Sequence, residues 1–591
     1  MLLSPANQGT GMQQTDRATR TVAISHRRRI TTAGLLLAAT SFCMSATPPA
    51  DTLLLHGHIY TANPQQGWVE ALAIRGESIM AAGTTAEIEK LRAPSTKVID
   101  LAGRMVMPGI IDDHTHFIWG SAGLVGVQLA DARTVDEVKQ RLSAYAKAHP
   151  KETFVYGAGW QYGFFPPTGL PTKEILDEYY PDRPVEIMSG DGHSLWVNTK
   201  ALTMAGITRN TPDPGGDSHG IIIHDAKGEP TGVLEEAAKQ LIMARLPFSH
   251  DQKVAFLKVG MREANSHGVT SVVNATGDIP EMELYQEMHR QGALTVRMTT
   301  SFGVDVGVKH TLSPQELADF EQARKRFTGD WVRAGVIKFF SDGVIETHTA
   351  AMLQPYANKP GDSGTTLYTP EQFRKYFLEL DRRGFQVMTH SIGDGAVRTV
   401  LDAYQYVEKT DGPRDRRWRV EHIETINPSD VPRFARQHVI ASIQPWCCPY
   451  EDKAWADAVG PHISDTEGLR WHDIEAAHAI VALGSDWPVT PINPFPTMQV
   501  SLTRQGGVGK AHPPYHLDQA FTLEEVLDGY TRNSAYAEFM EKRLGTLEPG
   551  KLADLIVLSQ DLSKIPPSSI GRTKVLLTLV GGKEVWQKEL Q

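Results

Sequence analysis

The sequence predicts an α/β protein built on a (β/α)8 barrel, a TIM barrel, with a small β-sandwich assembled from both ends of the chain. Strand-like apolar runs alternate with helix-like segments through the centre, which is the pattern of a parallel sheet covered by helices. Eight of these runs end in polar residues, and eight is the strand number of this barrel. Short alternating strands with glycine-rich turns occur before and after the centre.

The predicted barrel spans residues 109–541. Its eight strand-like runs are, in chain order, GIIDDHTH, VTSVVNAT, TVRMTTS, AGVIKFFSD, FQVMTHS, WRVEHIE, VIASIQP and IVALGSD. The stretch between the first two runs is too long for one barrel helix, and it holds strand-like pieces of its own. We therefore predict an insertion at about 120–250 over the barrel mouth, with an independent domain as the alternative.

The two ends of the chain share a β texture. Residues 51–108 contain runs such as EALAIRGESIMAAG, and residues 542–591 contain GTLEPGKLADLIVLS. We predict that these segments are the two parts of one β-sandwich. This arrangement requires only that the ends of the barrel lie close together, which is common in domains.

The first residues have the pattern of an export signal. Arg27–Arg29 precede an apolar stretch from Ala33 to Thr40, and small residues follow. This predicts a signal peptide over 1–46 and a periplasmic protein. The stretch is too short for a mature membrane-spanning helix, so we expect no stable membrane span after cleavage. A disordered N-terminus or an uncleaved anchor are the alternatives.

Composition limits the class of partner. The chain has 591 residues, of which 41% are hydrophobic and 22% charged, as in ordinary soluble domains. Its formal net charge of −10 argues against binding to nucleic acid. After signal cleavage only the adjacent Cys447 and Cys448 remain, and neighbouring cysteines rarely meet disulfide geometry. We expect a small-molecule substrate, and whether the chain forms a homodimer is left open.

Residues of metal-ligand type lie at the ends of the predicted strands. His114 and His116 are two apart, so a strand points both to the same face. Such a pair can arise by chance among 22 histidines. However, later strands carry further candidates: Lys338, His390, His422 and Asp486. Barrel enzymes take their catalytic groups from the carboxyl ends of different strands, and histidine with carboxylate suits Zn²⁺ or a similar divalent ion.

Lys338 is the unusual member of this set. The apolar residues around it predict a buried strand, where an ammonium group is costly and its pKa falls. One interpretation pairs it with Asp342 or Glu346. The other is a neutral amine that has reacted with carbon dioxide, giving a carbamate that can bridge two metal ions.

The sequence resembles the amidohydrolase superfamily, in particular amidohydrolase family 3, the branch that includes N-substituted formamide deformylase. The resemblance covers nearly the whole mature chain. It rests on the number and order of these motifs: PGIIDDHTH, HSLWVNTKAL, PTGVLEEA, IKFFSDG, HSIGDGAV, VEHIETI, GSDWPV, NPFPT and GTLEPGKLADLIVL.

The resemblance implies a metal centre with one or two divalent ions, expected to be Zn²⁺. In the family pattern, His114 and His116 hold one metal, and His390 and His422 hold the second. A carbamylated Lys338 bridges them. Asp486 lies beside the metal-bound water as ligand and catalytic residue. The implied reaction is hydrolysis of a carbon–nitrogen bond by a metal-activated water, with Asp486 passing the proton to the leaving nitrogen.

The substrate is less constrained. Six residues are candidates for substrate binding: Trp160, Gln161, Asp191, His193, Trp446 and Trp487. Packing or structural hydrogen bonds are the alternative explanation for them. We expect a non-peptide amide, formamide or carbamate with an apolar part. A deaminase, a cyclic-amide hydrolase or an isomerase on the same site are alternatives. So is a non-catalytic exported binding or regulatory protein, although the complete ligand set argues against it.

Overall fold

The computed structural model describes residues 48–166, 169–190, 192–214, 220–303, 311–446, 453–506 and 513–588. The predicted signal peptide, the Cys447–Cys448 pair and Asp191 lie outside these ranges, so the predictions for them stay predictions. Within these ranges, no helix combines the length and the apolar character that crossing a membrane requires.

The described chain begins with seven short strands and one helix. The strands are β1 (Thr52–Leu55), β2 (His58–Tyr60), β3 (Trp68–Val69), β4 (Ala71–Arg75), β5 (Ser78–Gly83), β6 (Lys97–Asp100) and β7 (Met105–Pro108). Helix α1 (Thr85–Ile88) begins at a capping box in which Thr84 and Glu87 bond each other's backbone. Four of the strands form a sheet in the order β5-β4-β1-β6.

The first barrel strand, β8 (Ile110–Thr115), is followed by a second sheet before the barrel resumes. This segment contains α2 (Phe117–Val125), β9 (Val127–Gln128), α3 (Val135–Ala148), β10 (Val155–Trp160), α4 (Lys173–Tyr179), β11 (Val185–Ser189), β12 (Ser194–Val197), α5 (Thr199–Ala205), β13 (Ile221–His224), β14 (Pro230–Glu235) and α6 (Gln240–Met243). Its strands form a mixed sheet in the order β13-β14-β12-β11-β10-β9. We refer to it as the inserted sheet.

The barrel then continues with seven more strands and their helices. In chain order these are α7 (His250–Ser266), β15 (Val269–Gly277), α8 (Ile279–Arg290), β16 (Arg297–Phe302), α9 (Pro314–Arg326), β17 (Val332–Phe340), α10 (Pro370–Arg382), β18 (Gln386–Ser391), α11 (Asp394–Asp411), β19 (Arg419–His422), α12 (Val431–Arg436), β20 (Ile440–Ile443), α13 (Lys453–Glu467, kinked at Gly460), α14 (Trp471–Ala476), β21 (Val481–Leu483), α15 (Pro494–Thr503), α16 (Leu523–Gly529) and α17 (Arg532–Ala537).

The eight barrel strands are parallel and follow one another in chain order from β8 to β21. The ring closes where Thr115 forms a bridge with Trp487. The N–H of His116 donates to the carbonyl of Trp487 at 2.7 Å, and the N–H of Asp486 donates to that of His114 at 2.7 Å. The predicted eight-stranded barrel is confirmed, and all eight predicted runs are its strands.

The last strands, β22 (Leu555–Leu558), β23 (Val575–Val580) and β24 (Lys583–Gln587), join strands from the start of the chain. Together they form a six-stranded sheet in the order β24-β23-β22-β7-β2-β3. Leu555 and Leu577 of this sheet share a buried cluster with Leu54 and Leu72 of the four-stranded sheet. The barrel core lies mainly between its strands and outer helices, and an inner apolar layer joins Val273, Val336 and Met388 across the barrel.

Candidate metal centre

The structure brings the six predicted ligands together at the carboxyl ends of the barrel strands. Nε2 of His114 lies 3.2 Å from Nζ of Lys338 and 3.5 Å from Oδ1 of Asp486. Nε2 of His116 lies 3.1 Å from the same carboxylate oxygen, and Nδ1 of His422 lies 4.0 Å from Oδ2.

His390 completes the group from the neighbouring strand. Its ring centre lies 4.5 Å from that of His422. Its Nε2 lies 3.0 Å from the carbonyl oxygen of Gly343, to which it can donate, and this leaves Nδ1 to act as a ligand. Four imidazoles, one amine and one carboxylate therefore meet at one end of the barrel.

Left-handed backbone helps to place two of the ligands. His422 has a φ of +71° and Asp486 a φ of +56°, which is uncommon for residues other than glycine. A regular strand would point Glu421 and His422 to opposite faces. Here Glu421 reaches His114 while His422 faces Asp486, so both side chains serve the same site.

A buried ionic network orients His114. Nδ1 of His114 lies 2.6 Å from Oε2 of Glu421, and neither side chain is exposed. Arg419 donates to the Glu421 carboxylate at 2.9 Å and to Asp113 at 3.0 Å. Because the carboxylate accepts the Nδ1 proton, Nε2 of His114 keeps the lone pair that a metal needs.

Two further contacts help to place His116 and Asp486. Nδ1 of His116 lies 2.7 Å from the hydroxyl of Thr276. The carboxyl of Asp112 accepts from the N–H of Ser485 at 2.8 Å and from its hydroxyl at 2.6 Å, which holds the segment just before Asp486.

Burial sets the protonation of the ligands. It lowers the pKa of His114, His390 and His422 well below the ordinary range, which favours the neutral, ligating form of imidazole. Burial alone would raise the pKa of the Asp486 carboxyl, but the adjacent His114 and His116 outweigh it and hold that pKa below its usual value.

Lys338 is buried, and burial lowers the pKa of its amine to about 8, although Glu421 and Asp486 oppose that shift. The carboxyl of Asp342, one of the two partners considered for it, accepts the N–H groups of Ala351 and Gly393, each at 2.9 Å.

The site fits a divalent cation. Oδ1 of Asp486 is buried and accepts no hydrogen bond from the described part of the chain, although Nε2 of His116 lies only 3.1 Å away. Nε2 of His114, whose Nδ1 lies against Glu421, is 3.5 Å from the same oxygen. A divalent cation coordinated by the carboxylate and the imidazoles would give this buried oxygen a partner.

Comparison with known proteins agrees with this geometry. Residues 97–586 match the model of the amidohydrolase family. The chain belongs to the amidohydrolase family. It is a metal-dependent hydrolase of carbon–nitrogen bonds.

Individual relatives match this amidohydrolase over most of its length. Protein LONG AFTER FAR-RED 3 of Arabidopsis thaliana is 29% identical, covering 92% of this chain and 93% of that protein. N-substituted formamide deformylase of Arthrobacter pascens is 26% identical, covering 91% and 98%. The solved structure of an uncharacterized metal-dependent hydrolase from Pyrococcus horikoshii OT3 superposes with a TM-score of 0.70 at 25% identity, covering 87% and 99%.

Among the predicted substrate residues of the amidohydrolase, Trp487 adjoins the ligands. Its backbone carbonyl accepts from His116, and its ring packs against Phe117 with ring centres 5.4 Å apart. A Cβ atom on Gly120 of α2 would lie 2.6 Å from that ring, so the glycine leaves room for it. His193 directly precedes β12 of the inserted sheet, and its Nδ1 is 2.7 Å from Oε1 of Glu236.

The other predicted substrate residues have different surroundings. Trp160 is fully buried in the inserted sheet, and its indole N–H donates to the carbonyl of Ile187 at 3.0 Å. Gln161 is exposed, and Trp446 is half-buried just before a segment outside the described residues. Substrate roles for these residues stay predictions.

Sequence reasoning missed several residues that serve the site. Glu421, Asp112 and Thr276 orient ligands, and Trp119 lies beside His116 with ring centres 5.6 Å apart. The indole N–H of Trp119 is buried and has no hydrogen-bond partner in the structure as described. The one available signal was Glu421 itself, a carboxylate next to a predicted ligand inside an apolar strand.

Proposed function

We propose that this amidohydrolase hydrolyses a non-peptide amide, formamide or carbamate that carries an apolar group. The observation that carries the proposal is the meeting of six ligand-type side chains at one end of the barrel, where His114 and His116 lie against the buried Oδ1 of Asp486, which accepts no described hydrogen bond. The substrate class is supported by the similarity to a relative named N-substituted formamide deformylase.

The donor set suits two cations, and Zn²⁺ is the ion we propose. His114 and His116 with Asp486 would hold one, and His390 with His422 would hold the other. Lys338 stands beside His114, where a carbamate on its Nζ would bridge them. Because carbamate formation requires a neutral amine, the lowered pKa of the Lys338 amine favours it. When bound, a divalent cation acidifies a water molecule and polarises the substrate carbonyl.

The protein's own groups then have defined tasks. Asp486 is held ionised by its neighbours, so it can accept the proton of the attacking water. It then delivers that proton to the leaving nitrogen as the carbon–nitrogen bond breaks. Glu421 holds His114 in one tautomer and one orientation during this exchange.

Metal content and carbamate formation test this proposal. Elemental analysis of the metal-replete protein is expected to give about two divalent ions per chain, and Lys338→Ala about one or fewer. With ¹³C-bicarbonate, the unsubstituted protein is expected to show a carbamate carbon resonance that Lys338→Ala lacks. Lys551→Ala serves as the control and should keep both signals. Lys551 is not a predicted ligand, and its amine donates a hydrogen bond to the hydroxyl of Thr546.

The possible outcomes separate the alternatives. About one ion in both proteins would remove the bridge and leave a mononuclear site around Asp486. No bound metal under replete conditions would refute the hydrolase mechanism itself. Hydrolysis of N-substituted formamides, aryl amides and carbamates by the loaded protein then identifies the substrate class.

We also infer that the protein is exported to the periplasm. The support is the basic, apolar and small-residue order of its first residues. Mass spectrometry of the protein from fractionated cells is expected to find a periplasmic N-terminus near residue 47, and an intact N-terminus in the cytoplasmic fraction alone would contradict export.

A further inference from the structure

Gln444 occupies a position on the barrel rim to which the proposed mechanism gives no task. It directly follows β20, the seventh barrel strand, and is only 5% exposed. Strand β20 lies between β19, which ends in His422, and β21, which leads to Asp486. The N–H of Gly484 donates to the carbonyl of Ile443 at 3.1 Å, so the two strand ends remain paired beside Gln444.

Strand geometry directs the Gln444 side chain into the barrel. Ser442, two residues earlier, receives a hydrogen bond from Arg419 at 3.3 Å inside the barrel. Residues two apart in a strand share a face, so Gln444 extends from the same inner face one step closer to the mouth. The metal ligands lie at the same end of the barrel.

The amide of Gln444 is buried and unsatisfied. Neither its Oε1 nor its Nε2 has a hydrogen-bond partner among the residues that the structure describes. In contrast, the buried amide of Gln386 lower in the barrel donates to the carbonyl of Ala537 at 2.9 Å. An unpaired buried amide destabilises a protein, so its presence at the barrel end that holds the ligands indicates that a bound molecule supplies the partners.

We propose that Gln444 is a specificity-determining residue whose Oε1 accepts the N–H of the scissile amide, while its Nε2 donates to an acceptor atom of the substrate. This inference rests on the proposed function as an amide hydrolase. It names the substrate more narrowly: the scissile nitrogen carries one hydrogen. N-monosubstituted formamides and amides are therefore preferred over their N-methylated counterparts, which present no N–H to Oε1.

Substrate selectivity and thermal stability both test the role assigned to Gln444. The selectivity is the ratio of kcat/KM for formanilide to that for N-methylformanilide, measured with metal-loaded protein. Gln444→Met keeps the size of the side chain and removes both polar groups. We expect it to lower the ratio by about 10- to 100-fold, mainly through slower cleavage of formanilide. Gln291→Met, at an exposed helix end, should leave the ratio unchanged.

Gln444→Met is expected to raise thermal stability although it lowers the selectivity ratio. If the amide has no partner in the free protein, Gln444→Met raises the midpoint of thermal unfolding by about 1–3 °C. A structural hydrogen bond would instead be lost, and the midpoint would fall. Elemental analysis should show unchanged metal content, because Gln444 is not a ligand. If Gln444→Met does not fold, Gln444→Glu replaces it: it keeps the acceptor oxygen and is expected to keep the preference for formanilide.

Two results would overturn the assignment while leaving the proposed function intact: an unchanged ratio in Gln444→Met, or a lowered unfolding midpoint. If the unsubstituted, metal-loaded protein cleaves neither compound nor any other amide or carbamate, the proposed function fails, and the assignment of Gln444 fails with it.

Discussion

Glu421→Gln tests whether the buried network behind His114 controls metal binding. The glutamate accepts from Nδ1 of His114 at 2.6 Å and from Arg419 at 2.9 Å, and all three side chains are at most 1% exposed. Glutamine keeps the shape but removes the charge that fixes the His114 tautomer and neutralises Arg419. We therefore expect weaker metal binding and a less stable fold.

The magnitudes follow from the contacts. Loss of a partner that orients a ligating histidine costs about 10- to 100-fold in metal affinity, or about 1.4–2.7 kcal/mol. Breaking a buried ion pair costs about 3–5 kcal/mol of unfolding free energy when one charge is left uncompensated. Arg419 keeps its contact with Asp113 at 3.0 Å, so we expect the lower end of that range.

The assay is competition with a chelator of known zinc affinity, together with urea unfolding of the metal-free protein. Glu538→Gln is the matched control, because Glu538 is also buried in the barrel but accepts from the hydroxyl of Thr299 at 2.5 Å. Burial raises the pKa of the Glu538 carboxyl, and its hydrogen-bond partner Thr299 is not a metal ligand, so the substitution should leave metal affinity unchanged. Unchanged metal affinity in Glu421→Gln, or an equal loss in Glu538→Gln, would refute the reasoning.

Two further predictions concern stability. Burial and the adjacent Asp394 raise the pKa of the Glu467 carboxyl to about 7, so the folded state holds a proton that the unfolded state releases near pH 4. The free energy of unfolding should therefore fall as the pH rises from about 4 to 7. Urea titrations at pH 5 and 8 should show a smaller fall for Glu467→Gln than for the unsubstituted protein. An equal fall in the two proteins would contradict this prediction. Gly120→Ala should lower the free energy of unfolding by about 1–3 kcal/mol and weaken metal binding, because the added Cβ would lie 2.6 Å from the Trp487 ring. Gly123→Ala is the control: its Cβ would lie 3.6 Å from the nearest atom, so it should be neutral or stabilising by up to about 1 kcal/mol. Equal effects of the two substitutions on the unfolding midpoint would show that the ring is not the cause.

The barrel could be predicted because its signal is local. Each strand is a short apolar run that ends in polar residues, as in FQVMTHS, which is strand β18 (Gln386–Ser391). The order of such strands in a parallel barrel follows the chain, so finding them also gives the topology. The inserted sheet is different. Its strands follow the chain from β9 to β12, but β14 then lies between β12 and β13, and no periodicity of the sequence specifies that pairing.

The ligands could be predicted from residue type and position, but the residues that orient them could not. Thr276 serves His116 from a neighbouring strand, and Asp112 holds Ser485 from the opposite end of the sequence. Threonine and aspartate are common at strand ends for many reasons. Gln444 is a similar case, because the feature that singles it out is the absence of a described hydrogen-bond partner, which only three-dimensional structure reveals.

The left-handed backbone at His422 was beyond prediction because its cause lies about fifty residues further along the chain. No glycine marks the turn, and a residue with a side chain pays about 1–2 kcal/mol to adopt that conformation. The indole N–H of Trp471, at the start of α14, lies 3.1 Å from the carbonyl of His422 and 2.7 Å from that of Ile423, and so binds the turned backbone. A helix of the next barrel unit thus holds a ligand of the previous one in position. The geometry of the metal centre therefore depends on contacts between successive barrel units, and a substitution at Trp471 should weaken metal binding without touching any ligand.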